Sequence, residues 1–348
     1  MQAVVFDGIE QIRVAEVPEP ECGPEDVIVD VVLCGICGSD LASYRRGALI
    51  GPGQVMGHEF AGTVSTVGAR VEGIEIGDRV TVNPLSHCGR CRQCRTGHAQ
   101  LCLAGLPHVG YGLPGAFAPR VRVPRARLGA NVHVLPDGVD FEAGALVEPY
   151  AVALHAVKLS APDPHCSVAV LGMGPIGLAV TQVLRAHGVT NIVGVERSAL
   201  RGDLACKLGA TVVLDGAGAR PLAEEIVDAA GPVAAALGGV DHVFETSGVG
   251  ALLEAGIAAA RPGGTVRVVA LHAQPVPLDA GALVGKEITL GGSNCYHDEF
   301  AEVLELMRQG VLATSPLVSG VVALEDALTG FLAQLDPERG VKYMVRPA

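Results

Sequence analysis

From Met1 to about Pro136, apolar and polar positions change over in short β-branched runs, VIVDVVLC, AGTVSTVG, DRVTV and RVRVP, separated by Gly, Pro and Asp. Short runs of this composition between turn formers predict strands. This half therefore reads as an all-β, barrel-like lobe with functional loops. The rhythm changes at about Ser167, where the apolar runs SVAVLG, NIVGVE, TVVLD, VDHVFE, TVRVVAL and EITLGG alternate with helical stretches such as PIGLAVTQVLRAHG and ALRGDLACKLGA. Strands alternating with helices predict a parallel sheet with covered faces. After about Ser293, the helical segment DEFAEVLELMRQG and the closing strand VKYMVRP predict a return to the first lobe.

Composition narrows the function. A chain of 348 residues, 49% hydrophobic, suits two domains better than one. A formal net charge of -12 without a basic stripe argues against a nucleic-acid partner. No apolar stretch approaches the roughly 20 residues of a membrane helix, and MQAVVFDGIE lacks the basic flank and apolar core of a signal peptide. The expectation is a soluble, cytoplasmic protein with no membrane contact. In that reducing compartment, 10 cysteines point to metal ligands and buried thiols before disulfides.

Two motifs carry chemistry. In VAVLGMGPIG, Gly172, Gly174 and Gly177 follow a strand in G-x-G-x-x-G spacing, with Pro175 and Ile176 opening a helix. The glycines allow a tight turn, close backbone approach to a pyrophosphate and close helix packing. Glu196 ends the next strand about 20 residues on, where a carboxylate accepts hydrogen bonds from ribose hydroxyls and repels a 2′-phosphate. NAD is favoured over NADP, a preference that the adjacent Arg197 could soften. In SHCGRCRQCRTGHAQLC, Cys88, Cys91, Cys94 and Cys102 stand as C-x2-C-x2-C-x7-C. Four thiolates close a tetrahedral zinc shell and leave no position for substrate. This is a structural zinc site. An iron–sulfur cluster spaces its ligands differently and commonly carries a proline after the last cysteine; disulfides are the remaining alternative. His87 and His98 flank the loop as solvated side chains.

An open metal site must lie elsewhere, in CGICGSDL or GHEFAGTV, although a single Cys37 and a single His58 are by spacing alone more often buried than ligating. Taken in order, CGICGSDL, GHEFAG, the cysteine loop, ALVEPYAVALHAV and VLGMGPIG resemble the zinc-dependent medium-chain alcohol dehydrogenases over essentially the whole chain. The EPYAVALHAV segment is most similar to the branch of 2,3-butanediol, sorbitol and L-threonine 3-dehydrogenases. The resemblance implies an α/β protein: a GroES-like β-barrel catalytic domain (1–153), a Rossmann doubly wound parallel-sheet cofactor domain (154–292) and a C-terminal return to the catalytic domain (293–348).

It also implies roles. Cys37, His58 and Glu148 match the ligands of a catalytic zinc, with Glu59 the rival carboxylate. Asp40 matches the group that orients the histidine, and Ser39 the hydroxyl that accepts the substrate proton; without the family match, a turn or cap role would be preferred for both. Two zinc ions per chain are thus expected. Three protein ligands leave a fourth position for an alcohol oxygen, whose pKa the cation lowers, so the two lobes are expected to meet at a cleft. Thr246 and Ser247 are placed near the nicotinamide and Lys342 near the pyrophosphate. Cys22, Cys34, Cys166, Cys206 and Cys295 are expected in the core. Relatives form dimers or tetramers through the edge of the cofactor sheet, so a homodimer or homotetramer is expected, with EITLGG as the pairing edge.

Two departures stand out. Where many relatives carry a relay histidine, this chain has Ala42, which predicts that the proton leaves Ser39 through ordered water, past Tyr44. Where relatives often carry an acidic residue followed by an aromatic, it has GAFAPRVRVP. The expected activity is hydride transfer between a small-molecule secondary alcohol (a diol, polyol or 3-hydroxy compound) and NAD. The alternatives are a zinc-free NADPH reductase of the same architecture, a dehydrogenase of a bulky terpenoid alcohol, and a non-catalytic binding protein.

Overall fold

The strand Val27–Gly35 is buried along nearly its whole length because it is paired on both sides. Glu59–Val67 runs antiparallel along one side, and Arg120–Val123 and Lys342–Arg346 share the other. The sheet continues through Arg79–Val82 to Val132–Val134 in one direction and to Val318–Ala323 in the other. Two register shifts bend the central pair, as bulges do. Phe6, Val29, Phe60, Phe117, Val121 and Phe331 fill the core enclosed by this sheet and a smaller one formed by Gln2–Gly8, Gln11–Glu16 and Gln54–Val55.

The computed structural model describes residues 1–348 and divides into two units, Met1–Glu148 with His297–Ala348, and Pro149–Tyr296. The C-terminal segment thus rejoins the β-rich unit. The division falls inside the helix Phe141–Ser160, at Pro149. Proline has no amide to donate there, which weakens the helix locally.

In the second unit six strands lie parallel in the order Val212–Leu214, Asn191–Val195, Ser167–Leu171, Val240–Glu245, Ala260–Val268, Thr289–Gly292. The order reverses between Ser167–Leu171 and Val240–Glu245, the switch point where doubly wound sheets bind ligands at the carboxyl ends of their strands. Every residue of Ser167–Leu171 is buried, as expected of a strand covered on both faces. Helices Pro175–Ala186, Ala199–Lys207 and Gly250–Ala259 make crossovers. No helix is long and apolar enough to cross a membrane.

Two sequence expectations are corrected. Cys34 and Cys166 are buried, but Cys22 and Cys295 are half-buried and Cys206 is exposed, since Ala199–Lys207 turns only Ala205 fully inward. Tyr44, expected beside the path of the departing proton, lies in a helix, Gly38–Arg46, with its ring packed edge-on against Phe331 at 5.8 Å, so it is a core residue and not part of a solvent path.

Candidate functional site

The helix Gly38–Arg46 starts at Cys37 because Asp40 turns back and accepts a hydrogen bond from the Cys37 amide at 2.9 Å. This reciprocal first-turn contact is a helix-start device, and it fixes the direction of the Cys37 side chain. Glu59 opens the strand Glu59–Val67, and His58 stands just before it after Gly57, whose φ of +93° suits glycine. The ligand atoms of Cys37, His58 and Glu59 lie within 4.8 Å of one another. Asp40 Oδ1 stands 3.8 Å from His58 Nδ1, while the imidazole also hydrogen-bonds Cys37.

Glu148 is buried in the helix Phe141–Ser160, and its charge acts on His58, Tyr111 and Lys342. Burial alone would lower the His58 pKa, but Asp40, Cys37 and Glu148 outweigh it and raise the imidazole to about 10. Burial pushes the Cys37 thiol and the Asp40 carboxyl up. Crowded acidic groups around one half-buried sulfur, one imidazole and carboxylate oxygen form a field that a divalent cation would neutralise, and the donor set suits zinc.

Lys342, expected near a pyrophosphate, is buried in the β-rich unit. Its ammonium pairs with Glu59 and donates to the Ile36 carbonyl at 2.8 Å. Gly35 makes room for this pair: a Cβ there would stand 2.3 Å from Glu59 Oε2. Ala42, at the position of the relay histidine, is buried.

Ser39 has a partner that sequence reasoning missed. Tyr111 Oη donates to Ser39 Oγ at 2.5 Å, and the tyrosine ring lies 4.9 Å from the His58 ring. The two residues of the hydrogen bond are 72 positions apart, and only the Gly-Tyr-Gly triplet around Tyr111 hinted at a shaped turn.

The four cysteines converge as expected, with sulfur atoms within 4.8 Å of one another. The Cys91–Cys94 and Cys88–Cys94 separations are 3.4 and 3.9 Å, near the ~3.8 Å that tetrahedral Zn–S bonds impose and far from the ~2.05 Å of a disulfide. Amides of Cys91, Cys94 and Cys88 donate to the sulfurs of Cys88, Cys91 and Cys102. Donation from the Cys94 and Leu103 amides lowers Cys91 to about 6, while desolvation and the neighbouring Cys91 raise Cys94 to about 11. Thiols this close ionise together only around a cation, so the loop fits zinc.

In the second unit the glycines meet the demands of a dinucleotide loop. Gly172 has φ of +96° and a Cβ on it would meet Ser247 at 2.8 Å; a Cβ on Gly177 would reach the Gly172 carbonyl at 1.8 Å. At Gly174 a Cβ meets nothing nearer than Arg201 Nη1 at 4.0 Å, which leaves open the face from which a pyrophosphate approaches. Pro175 and Ile176 follow as the first residues of Pro175–Ala186. Thr246 Oγ1 donates to the Leu171 and Gly172 carbonyls, and Ser247 bonds the buried Glu245 carboxylate. Glu196 accepts from the amides of Met173, Arg197 and Ser198, fixing the carboxylate beside the loop, while the Arg197 side chain is exposed.

Comparison with known proteins identifies the family. Residues 23–137 match the alcohol dehydrogenase GroES-like domain and residues 175–309 the zinc-binding dehydrogenase family. The chain is 35% identical to (R,R)-butanediol dehydrogenase of Bacillus subtilis over 100% of both chains. It is 31% identical to sorbitol dehydrogenase of the same organism, over 93% of this chain and 91% of that one. Among solved structures, a zinc-binding dehydrogenase from Sinorhizobium meliloti bound to NADP superposes with a TM-score of 0.89 at 33% identity, covering 99% of each chain.

Proposed function

The chain belongs to the zinc-dependent medium-chain alcohol dehydrogenases, and from that membership we propose that it interconverts a secondary alcohol, a diol or polyol foremost, and the ketone, with NAD as hydride acceptor. The observation that carries the reading is the convergence of Cys37, His58 and Glu59 within 4.8 Å, with the Ser39 hydroxyl two residues beyond Cys37. Cys37 and His58 would hold the catalytic zinc together with Glu148, or with Glu59 as the rival carboxylate. Cys88, Cys91, Cys94 and Cys102 would hold a structural one. When bound, zinc supplies a Lewis acid that eases deprotonation of the alcohol, and the nicotinamide takes the hydride.

The chain's own residues do the rest. Ser39 Oγ, whose lone pairs exceed the one that Tyr111 occupies, would accept the proton of the substrate hydroxyl while releasing its own hydrogen to water. Asp40 holds the Cys37 amide and faces His58, which orients two ligands through one carboxylate. The Gly172–Gly177 turn and the first turn of Pro175–Ala186 would take the pyrophosphate, and Glu196 the adenosine ribose. NAD is preferred because the Glu196 carboxylate would repel a 2′-phosphate.

A second copy of the chain is the proposed partner. Thr289–Gly292 is an edge strand, and the preceding helix Ala280–Lys286 exposes Val284 at 79%; uncovered edges of this kind invite pairing. A reducing, cytoplasmic setting is proposed with it, because zinc ligation by Cys37, Cys88, Cys91, Cys94 and Cys102 needs thiolates that are not oxidised.

The test is NADH formation with a panel of secondary alcohols, diols, polyols and L-threonine, with NAD and with NADP, and Cys37→Ser as the control. Oxidation of one class with NAD, abolished in a folded Cys37→Ser variant, is the expected result. Wild-type activity in that variant would overturn the site.

A further inference from the structure

We propose that Tyr111 is a positioning residue of this reaction, its phenolic hydroxyl selecting the orientation of the Ser39 side chain that meets the substrate hydroxyl. The inference rests on the reading of Ser39 as the proton acceptor. A serine at the start of a helix can turn its hydroxyl among staggered rotamers. Donation from Tyr111 Oη at 2.5 Å holds it in one of them, and leaves Ser39 one lone pair for the substrate and its own hydrogen for onward donation.

The turn that carries Tyr111 is built to keep it there. Tyr111 and His108 exchange backbone hydrogen bonds at 2.9 and 2.7 Å, and the Gly110 amide donates to the Leu113 carbonyl at 3.0 Å. Gln54 clamps the turn from the neighbouring strand, donating to Leu113 O at 2.6 Å and accepting from the Gly112 amide at 3.0 Å. The turn also lies backbone to backbone on the segment that bears His58. A Cβ on Gly110 would stand 2.8 Å from the Gly57 carbonyl and 3.2 Å from His58 Cβ, and one on Gly115 would stand 2.3 Å from the Met56 carbonyl. With its ring 4.9 Å from that of His58, Tyr111 references the Ser39 hydroxyl to the same segment that presents the proposed metal ligand.

A double-mutant cycle on the full-length, zinc-loaded protein tests this, with Tyr111→Phe, Ser39→Ala and the pair. Phenylalanine keeps the ring beside His58 and removes only the hydroxyl. The expected result is a fall in kcat of about tenfold for Tyr111→Phe, the scale of one lost hydrogen bond, with alcohol KM within about twofold, and Tm and zinc content unchanged. In the Ser39→Ala background the same substitution should cost nothing further. An equal loss in both backgrounds would show that Tyr111 acts without Ser39, and overturns the proposal alone. Full turnover by Ser39→Ala itself overturns the reading of Ser39, and the proposal with it.

Discussion

The Lys342 ammonium and the Glu59 carboxylate form an ion pair in which each side chain is 1% exposed. The lysine arrives on a C-terminal strand and the glutamate on a strand near the N-terminus, so this contact pins the returning segment to the metal-ligand strand. Removing one partner leaves a buried charge uncompensated. Lys342→Met is expected to destabilise the protein by about 3–5 kcal/mol, and Lys342→Met with Glu59→Gln by much less, as measured by urea denaturation of the four proteins.

The cysteine loop makes a separate prediction. Cys102→Ser removes a sulfur that accepts from the Cys88 amide. Metal analysis should show zinc falling from about two to about one per chain, together with a lower Tm and faster proteolysis within residues 88–102. Retention of both ions would refute the four-sulfur site.

Cofactor choice should turn on Glu196. Its carboxylate is held beside the glycine loop by three backbone amides, so it cannot swing aside easily to admit a 2′-phosphate. Glu196→Ser is expected to raise kcat/KM for NADP and lower it for NAD, shifting the ratio by about 100-fold or more. Initial rates with both cofactors measure it.

Acid sensitivity of the second unit should depend on Asp241. It accepts from the Ser167 amide and hydroxyl at 2.8 and 2.9 Å and pairs with Arg261 at 2.6 Å. Burial works to raise its pKa, but Arg261 and Ser167 outweigh burial and the value is lowered. A depressed folded-state pKa gives stabilisation that is complete above the unfolded value of about 4 and lost as pH falls through the folded value. Asp241→Asn should therefore cost about 1–3 kcal/mol at pH 7, and progressively less below about pH 4. Denaturation midpoints at pH 7 and pH 3 check the sign.

The glycine loop and the four cysteines could be read from the sequence because their partners are close along the chain, where spacing stands in for geometry. The strands could be read because β-branched runs lie between turn formers. What escaped was long-range or locally ambiguous. Gly38, Ser39 and Asp40 look like a turn, and only the bond from the Cys37 amide to Asp40 shows that they open a helix. That helix carries Tyr44 into the core, which its place near Ala42 in the sequence could not reveal. The Tyr111–Ser39 and Lys342–Glu59 contacts join residues on different elements far apart in the chain. The family pattern offers Glu59 as a rival ligand, but no spacing shows that its charge is matched by a lysine at the other end of the sequence.

The contact between the Tyr111 turn and the segment bearing His58 also bears on how this site can be altered. At Gly57, Gly110 and Gly115 any side chain collides with backbone or a buried ring, so a randomised library across 108–117 would yield mostly misfolded clones. Variation compatible with folding is confined to exposed positions such as Pro114, while redesign of alcohol preference has to come from segments that do not touch this frozen seam.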